Sequence, residues 1–123
     1  MILTNTVFLV IYAVLLSAGQ VLFKYVSKSL EKNASGPLEV VTKLLGTPTF
    51  WLAIVLYGVL AMLWIWILSR VSLVAAYPFA ALCFVLVPIM SHFAFGERVG
   101  TNYVIGAALL LIGLGFIFSE VSQ

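Results

Sequence analysis

The stretch FWLAIVLYGVLAMLWIWIL, residues 50–68, contains no charged side chain and no break. A helix crosses the hydrocarbon core of a bilayer with about 20 residues. The apolar residues here run without the period-two alternation of a barrel strand, so a helix is the expected structure. A helix also pairs its own backbone groups, which hydrocarbon demands.

The rest of the chain follows suit. Of its 123 residues 64% are hydrophobic and 8% charged, with a mean hydropathy of +1.24. A soluble domain carries about 25% charged residues, and a small one leaves too much surface in water to hide this apolar excess. The sequence predicts a single four-helix integral membrane domain over residues 1–123, with spans at about 2–25, 50–68, 73–95 and 103–118. The first apolar run lacks a basic leader and is about twice the length of a signal peptide's apolar region, so it reads as a retained span.

Arg70-Val71-Ser72 and Phe95-Gly96-Glu97-Arg98-Val99-Gly100 are short turns. They imply antiparallel neighbours in an up-and-down bundle, with Gly96 suited to a helix C-terminus. Between spans one and two, Pro37 opens a possible short interfacial helix, with Leu38, Val41 and Leu45 on one face and Gly46 ending it. Asn33-Ala34-Ser35 fits a glycosylation sequon and is read as chance. Lys24, Lys28, Lys32, Lys43 and Arg98 fall on one side of the membrane and Arg70 on the other. The positive-inside rule therefore puts both termini outside.

A net charge of +2, dispersed along the chain, gives no nucleic-acid surface. Cys83 is the only cysteine and His92 the only histidine, so neither a disulfide nor a metal centre is expected, and no cofactor is. No nucleophile–base pair points to an enzyme.

Three groups of residues carry what chemistry there is. Ser17, Gln20 and Lys24 are spaced to share one helix face. An ammonium at the mouth of a polar stripe suits an entering anionic head group. The same residues also suit a snorkelling anchor and a helix–helix hydrogen bond. Tyr77 and Pro78, flanked by alanines, suit a cavity wall, because Pro78 deprives the Val74 carbonyl of its helical donor. Trp64 lies deep enough to line a cavity, although belt or core packing is the commoner use. Arg98 can contact phosphates, or pair with Glu97. Gly106 and Gly113, like Ala108 and Gly115, are seven apart, a spacing that admits a second helix closely. A dimer through this span is expected, against packing within one subunit.

These motifs resemble the drug/metabolite transporter superfamily over nearly the whole chain. Leu15-Leu-Ser-Ala-Gly-Gln-Val-Leu-Phe-Lys24 resembles the first span of four-helix EamA-like proteins. Val71-Ser-Leu-Val-Ala-Ala-Tyr-Pro-Phe-Ala-Ala-Leu82 with Phe95-Gly-Glu-Arg98 resembles both those proteins and the small multidrug resistance family. Small multidrug resistance proteins carry an essential first-span glutamate two turns before a lysine like Lys24. Here that neighbourhood reads Leu15-Leu16-Ser17.

The Ser-Ala-Gly-Gln and Ala-Tyr-Pro stretches are closest to the aminoarabinose-phosphoundecaprenol flippase subunits. That resemblance implies a lipid-linked sugar as substrate, the bacterial inner membrane as location, and a similar four-helix subunit as partner in a homodimer or heterodimer. Lys24 would meet the phosphate, with Gln20, Ser17 and Tyr77 along the head-group path. The alternatives are an exporter of small solutes or drugs and a non-transporting scaffold subunit.

Overall fold

The computed structural model describes residues 2–31 and 35–121. Lys32 and the Asn33-Ala34 part of the sequon lie outside the described residues. Six helices follow in order, with no strand among the described residues: α1 (Ile2–Glu31), α2 (Pro37–Leu45), α3 (Pro48–Leu68), α4 (Leu73–Ala80), α5 (Cys83–Phe95) and α6 (Thr101–Val121). Four apolar stretches are long enough to cross a membrane: Leu3–Glu31, Pro48–Leu68, Leu73–Phe95 and Thr101–Glu120. The protein is an all-α integral membrane protein.

The first and third spans depart most from the sequence expectation. The first helix continues beyond Tyr25 to Glu31. Val26 is buried there, and the hydroxyls of Ser27 and Ser29 donate to the carbonyls of Lys24 and Val26. The third span is two helices. Around residues 81–82 the bonding tightens to three-residue steps, with Ala81 N donating to Pro78 O and Leu82 N to Phe79 O, both at 3.1 Å. The interruption lies just after Pro78, whose ring denies the helix one amide donor.

The turns have local causes. Ser72 caps α4, its hydroxyl accepting from Ala75 N at 3.3 Å. Gly96 ends α5 at φ 69, a left-handed conformation that glycine adopts without a Cβ clash, and its N–H bonds His92 O. Short α2 starts at Pro37 and leaves Leu38, Val41 and Leu45 exposed, the open apolar face an interfacial helix requires. Ser35 donates from its backbone N–H (2.8 Å) and hydroxyl (2.9 Å) to one Glu39 carboxylate oxygen. These bonds hold the Glu39 carboxyl below the usual carboxylate range.

α1 is the central element, packing on α3, α5 and α4, while α6 touches mainly α4. The tightest packing is at the Arg70 end, where Leu9, Ile67 and Ala76 bury one another beneath Tyr12, Leu63, Trp64 and Phe79. Tyr12 stacks on Trp64 with centroids 4.7 Å apart. Two cation–π contacts mark the bundle's ends: Arg70 over Trp66 (4.5 Å) and Lys28 over Phe95 (4.4 Å).

Candidate functional site: a polar furrow along the first helix

The stripe on α1 sits in an opening between two neighbouring helices. Gly19 and Phe23 face α3, where Tyr57 stacks on Phe23 with centroids 4.5 Å apart. Ser17 faces α5, its Oγ lying 3.3 Å from Cys83 Sγ. At about 100° per residue, Gln20 and Lys24 fall in the sector between those two directions. Leu9 and Ala13 occupy the same sector nearer the Arg70 end and are buried. Gln20 is nevertheless exposed and Lys24 half-buried. α3 and α5 pack on α1 but scarcely meet each other. The bundle is closed at its Arg70 end and open between α3 and α5 towards its basic end.

Ser17 forms the closed end of this furrow. It is 0% exposed, and its hydroxyl donates to Ala13 O at 2.8 Å, the back-bond of a helical serine to the carbonyl one turn earlier. The three stripe residues therefore differ in state. Ser17 is sealed and satisfied, whereas neither the Gln20 amide nor the Lys24 ammonium has a partner among the described residues. Seven residues of helix put Ser17 about 10 Å deeper than Lys24.

Tyr57 adds a group that sequence reasoning missed. Its hydroxyl is buried and is the unpartnered buried side-chain polar atom of the described residues. Leaving such a group unpaired costs about 1–3 kcal/mol, so it is a ready donor for a ligand atom or water. The ring reaches this position only because residue 19 is glycine: a Cβ there would stand 2.9 Å from Tyr57 Cε2. The available signal was a tyrosine in mid-span, too deep for an aromatic belt, together with a glycine beside Gln20.

The other expected site residues lie elsewhere. Trp64 packs in the Arg70-end core on Tyr12. Tyr77 is 67% exposed and, with Pro78, lines a groove between α4 and α6 that also includes Gly106 and Gly113. Arg98 stands at the end of a separate groove between α5 and α6, whose wall includes Ala108. A Cβ on Gly106, Gly113 or Gly115 would meet open space, so packing within this subunit does not require glycine at those positions. Glu97 and Arg98 form no ion pair. The Glu97 carboxylate accepts from Ser91 Oγ and its carbonyl lies 2.9 Å from His92 Nδ1.

The chain is similar to proteins named probable 4-amino-4-deoxy-L-arabinose-phosphoundecaprenol flippase subunit ArnE. One, from Pectobacterium atrosepticum, is 39% identical over 69 residues, spanning 56% of this chain and 61% of the relative. Another, from Pseudomonas savastanoi pv. phaseolicola, is 30% identical over 96 residues, spanning 78% and 81%. A third, from Pseudomonas aeruginosa, is 36% identical over 76 residues, spanning 62% and 66%. No family model matches the chain. No solved structure matches it either.

Proposed function

The chain belongs to the family of probable 4-amino-4-deoxy-L-arabinose-phosphoundecaprenol flippase subunits, and on that premise we propose that it helps carry a polyprenyl-phosphate-linked sugar across the bacterial inner membrane. A charged phosphodiester crosses bare hydrocarbon only at a cost of tens of kcal/mol in the idealised limit. A furrow open to lipid lowers that barrier by solvating the head group while the chain stays in the bilayer. The observation that carries this reading is the exposed Gln20 amide beside the Lys24 ammonium, neither with a partner among the described residues, in the gap between α3 and α5. Lys24 holds the phosphate, a charge-assisted contact. Gln20 takes a sugar hydroxyl, and the sealed Ser17 marks how far the head group penetrates from this side.

The bare α6, with Gly106, Gly113 and Gly115 open to close approach, is the surface on which a second four-helix subunit packs, as a homodimer or heterodimer. The basic end is cytoplasmic and both termini are periplasmic. A proton-coupled cation exporter of the same fold needs an acid in mid-membrane. The carboxylates that fall within these spans are Glu31 and Glu120, at their last residues.

The test is a pair of cellular readouts: surface display of the aminosugar, and growth in toxic cations. Lys24→Ala abolishes display and leaves cation tolerance unchanged. Normal display by a well-expressed Lys24→Ala chain would sink the phosphate role, and cation tolerance conferred by the chain would favour an exporter.

A further inference from the structure

A second feature points to how the substrate is first captured. A groove of about 650 Å³ separates α5 from α6. Val85, Ile89, Val104, Ala107, Ala108 and Leu111 give it apolar walls. The Tyr103 hydroxyl bridges it, donating to Phe84 O at 2.8 Å. That carbonyl is the one Pro88 leaves without a helical donor, so the bridge satisfies an orphan group and ties α6 to α5 across the groove. The eight-residue step along α6 from Tyr103 to Leu111 gives the groove a length of about 12 Å, from the basic end of the bundle towards its middle.

The mouth carries opposite charges side by side. Ser91 and His92 hold the carboxylate and carbonyl of Glu97. Arg98 beside it is exposed and has no ion-pair partner among the described residues. Both border a smaller recess of about 310 Å³ that adjoins the groove. An anion alone meets Glu97 and a cation alone meets Arg98. A head group bearing both charges, on a single apolar chain, complements the whole feature.

We propose that the α5–α6 groove is a docking site for the aminosugar-phosphate polyprenyl lipid. The prenyl chain lies in the groove, the phosphodiester on the Arg98 guanidinium, and the sugar ammonium against the Glu97 carboxylate. The assignment rests on the flippase reading above and adds a site to it. The contacts Ser17–Cys83 and Lys28–Phe95 show that α1 and α5 run parallel and set their register, with Lys24 level with Ser91. A docked head group is therefore already at the depth of the furrow's mouth.

The test is native mass spectrometry of the purified full chain with undecaprenyl-phosphate-linked aminoarabinose, with its N-acetylated counterpart, and with phosphatidylethanolamine as competitor. Arg98→Gln lowers retention of both prenyl lipids about tenfold, the scale of one charge-assisted contact. Glu97→Gln removes the preference for the free amine. Ala108→Trp and Leu111→Trp, two ways of filling the groove, each displace the prenyl lipid, with thermal melting confirming the fold. Unchanged retention in Arg98→Gln and in both Trp variants overturns the groove. An unchanged amine preference in Glu97→Gln, or equal displacement by phosphatidylethanolamine, overturns the head-group assignment. If those variants are silent while Lys24→Ala still abolishes translocation, the docking site falls and the flippase reading stands. If the wild-type chain neither retains nor moves the prenyl lipid, both fall.

Discussion

Gly19→Ala tests whether the furrow's geometry depends on the close approach of Tyr57 to α1. The added Cβ would lie 2.9 Å from Tyr57 Cε2 and 3.1 Å from both Cζ and the hydroxyl oxygen. The ring has little freedom to yield, because it is stacked on Phe23, 15° from parallel. Overpacking of this kind costs about 1–3 kcal/mol. Alanine in a helix interior returns about 0.8–1 kcal/mol relative to glycine. The net loss expected is therefore about 0–2 kcal/mol, too small to interpret alone. The informative quantity is the coupling. In a Tyr57→Ala background the clash is gone, and Gly19→Ala stabilises by about 1 kcal/mol through propensity. The cycle then shows a coupling of about 1–3 kcal/mol. Reversible unfolding in mixed micelles measures all four corners. An identical effect of Gly19→Ala in both backgrounds would refute the close approach, and with it the placement of the Tyr57 hydroxyl beside the furrow.

Two further outcomes follow from local chemistry. Tyr103→Phe leaves the Phe84 carbonyl unpaired and costs about 1–3 kcal/mol. Adding Pro88→Ala restores the missing amide donor and recovers most of that loss in the same unfolding assay; no recovery would mean that the proline-orphaned carbonyl is not what Tyr103 satisfies. Acidification acts on α2 through Glu39, whose folded-state pKa is lowered. Its contribution is complete above the ordinary carboxylate value and is lost as pH falls through the lowered one, so the start of α2 frays in acid. Backbone chemical shifts of residues 36–40 report this, and Glu39→Gln should remove their pH dependence.

The sequence announced membrane spans, short turns and the stripe on α1, because each is a local pattern: an apolar run, a glycine at a helix end, a spacing of three and four. It did not distinguish the fates of Ser17 and Gln20. Both sit on one helical face, and only the positions of α3 and α5 decide that one is sealed against Cys83 while the other looks into a gap. Trp64 was open to two readings for the same reason, and its stack on Tyr12 is a tertiary contact. Pro78 signalled an orphaned carbonyl but not the break in the span just downstream, in an alanine-rich turn. Tyr57 was overlooked because a hydroxyl's lack of a partner depends on every surrounding helix. The grooves beside α6 depend on how far that helix stands from α5, which no local pattern records.

The central claim is that the Lys24 ammonium holds the phosphate of a lipid-linked sugar in the furrow between α3 and α5. It is tested most directly by head-group translocation in proteoliposomes, using the full chain with any subunit that co-purifies. Lys24→Arg retains most of the rate because the charge survives, Gln20→Ala slows it, and Lys24→Ala falls to the protein-free background. A Lys24→Ala chain that is folded, inserted and moving the head group at the wild-type rate would contradict the account.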